Sequence, residues 1–506
     1  MVGVGAPRRE TVRWALAGVL ALWVGLAVSW VVAQALSIRS NPVVAVAEQI
    51  IRRLPGHVAE KGIQTLGHSD KPTLVAIILV VITALAAGFG LAARSAEWKA
   101  SVGWLALAAV GGLAVSQQAD AGPKGQIPVV AGFIVWVLAT MFLTGPLRTA
   151  APVDDDLRFW LRAGGAVVAA GILGAVSPTV GRKSREVAAA REALSRPGAL
   201  PGVTMPVVPA GAQLPEGLPW ATPAAAFYRV DTTFSPPEIS PSEWRLRIHG
   251  MVDHEIELTF DELLARRRTQ AWITLNCVSN PVGGNLIGNA WWSGVSLAAL
   301  LREAGVKAGA DALLQTSKDG WTCGTPLAAI GSDAMLAVAM NGQPLPVPHG
   351  FPVRTLVPGL FGYVSACKWV VDLEVTTMDK AVGYWIPLGW AVQGPVKLAS
   401  RIDRPGDGRT IPAGTYTFAG VAWEQRVGIK AVDISIDGGP WLPCTLGRVP
   451  SNDTWVQWSC ATHVASGHHQ VAVRATARSG QVQTAVRTGE VPNGATGWHT
   501  VDFTAS

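Results

Sequence analysis

The chain has 506 residues, of which 49% are hydrophobic and only 15% charged, and its formal net charge is +6. This composition excludes intrinsic disorder and predicts a membrane part joined to folded units. The basic residues gather at the edges of apolar runs (Arg8, Arg9, Arg13, Arg148, Arg158, Arg162), the pattern of membrane flanks rather than of a nucleic-acid-binding stripe.

Five apolar segments, 12–36, 73–93, 100–116, 127–147 and 163–180, are long enough to cross a bilayer. The first, with Trp14, Trp23 and Trp30, is too long for a signal-peptide core. The spans contain no histidine and no central acid or base, which argues against axial haem ligation and against an ion path. They read as an anchor and docking platform. Arg8, Arg9 and Arg13 suggest an inside N-terminus, so five spans leave everything after residue 181 outside. Residues 182–226 read as a linker. A short polar helix from Arg182 to Arg196 precedes a run of prolines that favours an extended, semi-rigid tether.

Residues 227–378 mix strand-like and helix-like pieces. Trp244–Gly250, Leu313–Thr316 and Trp369–Val375 read as strands, and helices begin at Phe260 and Leu297 behind the caps Thr259 and Ser296. This predicts an α+β domain. Residues 379–506 lose the helix signals. Short strands such as Val396–Arg401, Gly414–Ala422, Val432–Ile436, Trp455–Ala461 and His469–Ala477 predict a β-sandwich of immunoglobulin-like type, with a hairpin turn at Asp437, Gly438 and Gly439.

The five cysteines (Cys277, Cys323, Cys367, Cys444 and Cys460) form no C-x-x-C unit, so a zinc ribbon, a thioredoxin-type pair and attached c-type haem lack support. Cys444 and Cys460 fall in the sandwich, where an exported location would allow a disulfide. Cys277 ends the β-branched, apolar run Trp272–Asn276 and precedes the turn Pro281–Gly284. A thiol delivered by a strand tip into a glycine-rich loop suits a soft metal ligand or a nucleophile, against the commoner inert buried cysteine.

From these motifs the region 227–500 resembles the sulfite oxidase family. Four ordered stretches carry the resemblance: Phe227-Tyr228-Arg229; Leu275-Asn276-Cys277 with Asn280; Asp319-Gly320-Trp321-Thr322; and His349 to Arg354 running on through Gly362, Ser365 and Lys368. The resemblance implies a molybdopterin-binding catalytic domain followed by an immunoglobulin-like dimerisation domain. It makes Cys277 the thiolate ligand of molybdenum, and Arg229 and Trp321 the shapers of a substrate site. Phe227, Tyr228, Arg229, Asn280, His349, Arg354, Gly362, Ser365 and Lys368 would hold the molybdopterin. The family's paired arginines after the Cys-x-x-Asn unit are replaced by Pro281 and Val282, which argues against a typical sulfite pocket.

The expected whole is multi-domain: a transmembrane anchor of about five helices (1–181), the linker (182–226), the molybdopterin domain and the β-sandwich. The activity expected is oxygen-atom transfer to or from a small oxo-anion, sulfoxide or N-oxide, with a separate electron-transfer partner, at the extracytoplasmic face of the cell membrane, and by resemblance as a homodimer. Two further readings are a non-catalytic receptor retaining the fold and a thiol enzyme with Cys277 as nucleophile and His349 as base. A folded cofactor protein on the outer face implies twin-arginine export, and Asp156-Leu157-Arg158-Phe159-Trp160-Leu161-Arg162 resembles such a signal with leucine in place of the first arginine.

Overall fold

The computed structural model describes residues 6–36, 38, 41–54, 62, 70–118, 122–148, 154–180, 182–200, 202–214 and 218–506. The side chains of Arg8, Arg9 and Asp156, and all of Pro201 and Pro215, lie outside the described residues. The chain divides into two compact units, Met1–Ala188 with Thr232–Glu238 and Ala189–Asp231 with Ile239–Ser506.

The first unit is helical: α1 (Ala6–Ala35), α2 (Pro42–Arg53), α3 (Asp70–Ala93), α4 (Glu97–Ser116), α5 (Ile127–Arg148) and α6 (Asp154–Val180). Five of its helices are long and apolar enough to cross a membrane, over Glu10–Ala35, Lys71–Ala93, Glu97–Ser116, Pro123–Arg148 and Leu157–Ala175. Small residues let helix backbones meet: a Cβ on Gly18 of α1 would lie 2.0 Å from the Ala86 carbonyl oxygen of α3. Trp104 and Trp136 stack between α4 and α5, and Trp104 Nε1 donates to Thr140 Oγ1. The stretch between the first two spans, read as a loop from sequence, contains α2. Asn41 caps it by accepting from Val44 N. Its buried Glu48 accepts from Gln118 Nε2, Phe234 N and Thr233 Oγ1, so this unit does bury an acid, on a helix outside the five spans.

Helix α7 (Arg182–Leu194) forms where a polar helix was expected. The stretch after it departs from expectation. Leu200 and Val203 join the hydrophobic core of the second unit, Trp220 is fully buried, and Arg191 donates to the Pro344 and Leu345 carbonyls. The prolines keep the backbone extended, but the large apolar side chains between them seal it against the folded unit.

The second unit holds four sheets. One runs β2 (Ile256–Thr259), β1 (Arg245–Gly250), β10 (Val370–Thr376), β5 (Ala312–Ser317), β6 (Thr322–Pro326), with β1 and β10 parallel. Another runs β3 (Arg268–Asn276), β4 (Ile287–Ser296), β7 (Met335–Met340), β8 (Gln343–Pro344), with β9 (Arg354–Leu356) beside β7. Helix α8 (Phe260–Leu264) starts in a capping box between Thr259 and Glu262, and α9 (Leu297–Ala304) is capped by Ser296.

The C-terminal β-rich region has β11 (Ala399–Arg404), β13 (Gly414–Trp423), β17 (Val456–Val464) and β16 (Thr445–Leu446) in one sheet. The other sheet takes β12 (Arg409–Ile411), β19 (His499–Ala505), β18 (Gly467–Ala477), β14 (Ile429–Ile436) and β15 (Leu442–Pro443). Phe418, Trp458, Val432, Ile434, Val473 and Phe503 from both sheets form one hydrophobic cluster. Asp437 and Gly438 both take positive φ, 52° and 69°, and Gly439 N donates to Ile436 O, the geometry of a primed hairpin turn.

Candidate cofactor site

Cys277 follows β3 directly and is partly exposed. Its N–H donates to Leu286 O, and its carbonyl accepts from Asn280 N. Asn280 Oδ1 accepts from Leu286 N, which closes the loop below the thiol. β3 is the edge strand of its sheet, and residues of the β-rich region cover that edge at Thr274. Thr274 N donates to Asp453 O, its carbonyl accepts from Gln425 Nε2, and its Oγ1 accepts from Trp455 N and meets Asn289 Oδ1 at 3.1 Å. Trp220 joins the same knot, exchanging hydrogen bonds with Trp455 through both indole N–H groups. The strand that presents Cys277 is therefore fixed three residues upstream by polar contacts that leave none of Thr274's backbone groups bare.

Beside this tip lies a buried cationic cluster. Phe227 stacks on Tyr228 and meets Trp292 and His349 edge-on. Burial, and then the negative sulfur of Cys277, push the Tyr228 phenol well up; the Arg354 charge opposes them. Arg354 is itself buried: Nη1 donates to His349 O, the guanidinium lies 5.3 Å from the Trp292 ring, and Nε has no partner. No carboxylate pairs with it among the described residues, and burial lowers it to about 10. Lys368 Nζ donates to Asp231 Oδ2 at 3.0 Å and to Val230 O. Burial carries Lys368 down to about 8 despite Asp231. Arg229 shares that carboxylate at 2.8 Å. Burial, then Arg354 and Lys368, depress His349 to about 4, so it is neutral at neutral pH.

Three cations thus face one acid. A buried guanidinium without a counter-charge is costly alone and fits an anion with several oxygens, such as a phosphate. Gly362 borders the same cluster: a Cβ there would stand in ordinary contact with Asn276 O at 3.7 Å and Tyr228 OH at 3.8 Å. Asn276 Oδ1, one residue before Cys277, is buried and unpartnered. These residues fit a phosphate-bearing pterin.

Some expected residues serve otherwise. Ser365 donates its hydroxyl to the Leu360 and Phe361 carbonyls, so it holds its own turn and offers no free O–H to a ligand. Trp321 sits in the β5–β6 turn behind Gly320 (φ +81°), its N–H donating to Asp319 Oδ1 and its ring packed on the core of the first two sheets' unit. Among the described residues it forms no ring pair with Phe227, Tyr228 or His349. Where arginines were expected after the cysteine, the loop 281–284 instead meets Arg401 and His499 of the β-rich region: Arg401 Nη1 donates to Gly284 O, and the His499 ring lies where a Gly283 Cβ would stand.

Sequence reasoning missed Asp231, Trp292 and Thr274, and it quoted Asn276 in a motif without giving it a role. Asp231 lies two residues beyond Arg229, the spacing that puts both on one side of an extended segment. That was the available signal for it.

The Oxidoreductase molybdopterin binding domain model matches residues 233–385. An uncharacterized oxidoreductase, YuiH, of Bacillus subtilis is 32% identical over 154 residues, which cover 30% of this chain and 75% of the relative. Sulfite oxidase of Gallus gallus is 28% identical over 46% of this chain and 61% of its own length, so the match spans less than two thirds of that enzyme. The solved structure of the sulfane dehydrogenase SoxCD from Paracoccus pantotrophus aligns with TM-score 0.50 at 23% identity, covering 59% of this chain and 87% of that one, a likeness of fold.

Proposed function

Because the chain belongs to the sulfite-oxidase-like family of molybdopterin oxidoreductases, we propose that it is a membrane-anchored oxidoreductase acting by two-electron oxygen-atom transfer on a small oxo substrate. The observation that carries the site is the buried, uncompensated Arg354 beside the Cys277 strand tip. Cys277 would hold the metal as a thiolate, a soft donor suited to it. Arg354 and Lys368 would bind the phosphate of the pterin, with neutral His349, its one N–H engaged by the Ala224 backbone, offering its other ring nitrogen as an acceptor, and Phe227 and Tyr228 walling the group. Gly362 would let the group approach the backbone beside Asn276 and Tyr228, and Asn280 and Ser365 keep the two flanking turns in shape. The bound molybdenum supplies the oxygen-atom and two-electron chemistry.

Arg229, 38% exposed in its side chain and anchored by Asp231, would meet the oxygen of the substrate. Trp321 would bound the channel from the β5–β6 turn. Arg401, held by Asp403 and by Gly284 O, and His499 border the loop, which carries Pro281 and Val282 in place of paired arginines, and that replacement favours a substrate of lower charge than sulfite. Sulfoxides and N-oxides are that class.

The proposed division is an anchor of five spans (1–181), the connecting segment (182–226), the molybdopterin domain (227–378) and an immunoglobulin-like, dimerisation-type sandwich (379–506). The catalytic part would lie on the extracytoplasmic side of the cell membrane, delivered by the twin-arginine-like segment at 156–162. Electrons would pass to or from a separate partner.

The test is a substrate screen of detergent-purified protein with sulfite, sulfoxides and N-oxides, beside Cys277→Ala. The expected result is turnover of at least one neutral oxo substrate that depends on molybdate supply and vanishes in the variant. Turnover that persists without molybdate, or in Cys277→Ala, would contradict the reading.

A further inference from the structure

Two cysteines outside the cofactor site face each other across a strand pair. β16 and β17 pair antiparallel with Thr445 opposite Ser459 and Leu446 opposite Trp458. The same register puts Cys444 opposite Cys460. Directly opposed residues of an antiparallel pair have Cα atoms about 4.5–5.5 Å apart, inside the range of about 4.4–6.8 Å that a disulfide spans. Cys460 Sγ lies 3.8 Å from the carbonyl oxygen of Pro443, the residue before Cys444, so the thiol of β17 reaches the crossover itself.

Their place in the fold gives the pair a purpose. Cys444 is the residue at which the chain leaves one sheet for the other: β15 before it pairs with β14, and β16 after it pairs with β17. Its N–H still donates to Val432 O of β14, although the next residue, Thr445, already pairs with β17. β15 and β16 are each only two residues long, so few ladder bonds hold this crossover. A covalent link from Cys444 to β17 would pin it, closing a loop whose chain entropy in the unfolded state is substantial.

We propose that Cys444 and Cys460 are a disulfide-forming pair that staples the sheet-switching crossover of the β-rich region. The reaction is thiol–disulfide exchange with an oxidant of the protein-disulfide or glutathione-disulfide class. One cysteine sulfur attacks the oxidant's disulfide and releases one reduced thiol. The second cysteine then displaces the other half of the oxidant, forming the Cys444–Cys460 bond and releasing the second thiol. Two electrons pass to the oxidant, and the two cysteine protons end on its two thiols. Cys444 is partly exposed, which gives the oxidant a point of entry. Cys323 and Cys367 are an internal control. They lie close enough to influence each other's ionisation, but both are fully buried, and no oxidant reaches them.

The experiment uses the full chain in detergent and has two arms. In the first, protein from membranes is alkylated at once, digested without reductant and mapped by mass spectrometry. In the second, reduced protein is equilibrated in glutathione redox buffers, then alkylated and mapped alike. The expected result is a linked Cys444–Cys460 peptide in both arms, with Cys323 and Cys367 alkylated only after denaturation. The oxidised form should melt about 5 °C above the reduced form, and the Cys444→Ser/Cys460→Ser double variant should lose that redox dependence. Absence of the linked peptide in oxidising glutathione overturns the pairing. The linked peptide in buffer but not from cells upholds the pairing and instead overturns the extracytoplasmic placement.

Discussion

Two charge clusters in the second unit, one largely buried and one half-exposed, look alike in composition and differ in closure. Around Arg354, Lys368 and Arg229 there is one carboxylate, Asp231, and the Arg354 Nε goes unpartnered. Around Arg426 there are two carboxylates: Asp333 at 2.5 Å and Asp453 at 3.4 Å, while Arg426 Nε donates to Pro358 O. The second cluster satisfies its cation within the fold and joins the β-rich region to the catalytic part. The first leaves positive charge over, at the tip of the strand that presents Cys277. A cluster that closes on itself is structural; one that remains open is built for a ligand.

The sharpest way to break this contrast is Arg354→Leu. Loss of the one buried guanidinium should lower cofactor content about tenfold or more, as expected for a charge-assisted contact to phosphate. It should leave the melting temperature of cofactor-free protein unchanged or raised, because an unpaired buried charge has been removed. Metal analysis and calorimetry of the same preparations check both. A cofactor-free variant that unfolds would make Arg354 structural, like Arg426.

Next in size is Thr274→Val, which keeps the shape and loses the hydroxyl that meets Trp455 N and Asn289. The expected cost is about 2 kcal/mol from an unsatisfied buried N–H, read by denaturant unfolding, and Thr274→Ser should restore most of it. Arg426→Leu should cost about 1–2 kcal/mol, held down by its exposure, with no loss of cofactor content.

The smallest effects are in pH. His349 is depressed to about 4 by burial and then by Arg354 and Lys368. It is protonated more readily in the unfolded chain, so its contribution to stability is lost as pH falls from about 6.5 toward 4. His499, also held near 4 by burial, acts in the same direction. Asp453 is raised to about 6, by burial first and then by Asp333 against Arg426. The folded state keeps that proton longer, so its contribution is lost as pH rises from about 4 to 6. His349 and Asp453 therefore tilt stability oppositely over one window, while Asp333, held down against burial by Arg426, acts against Asp453 within its own cluster. Titrating unfolding in His349→Gln should flatten the fall on acidification, and in Asp453→Asn the fall on alkalinisation. The same slope in both variants would erase the distinction.

Much of this was legible in the sequence, for reasons that also explain the gaps. The run Trp272–Asn276 has strand periodicity and ends at Cys277, and Thr259 and Ser296 announce their helices, so these local signals carried through. β4 did not show because Gly288, Asn289 and Gly294 interrupt a strand buried on nearly every residue. β7, Met335–Met340, is a continuous apolar run without alternation. The segment around Trp220 read as a tether because proline content reports backbone extension and not what the intervening side chains touch. In the site, His349, Arg354 and Lys368 were readable as an ordered set. The hydroxyl of Ser365 turns back to the carbonyls of Leu360 and Phe361, and Asp231 lies in an irregular segment marked only by its two-residue spacing from Arg229. Both depend on contacts made only in the folded chain.

The central claim is that the open cluster holds a molybdenum-pterin group. It is tested most directly by the molybdenum and pterin content of the full-length protein purified from molybdate-fed cells. The account predicts about one of each per chain, with the metal lost in Cys277→Ala and both lost in Arg354→Leu. Wild-type protein that is folded yet devoid of molybdenum and pterin would contradict it.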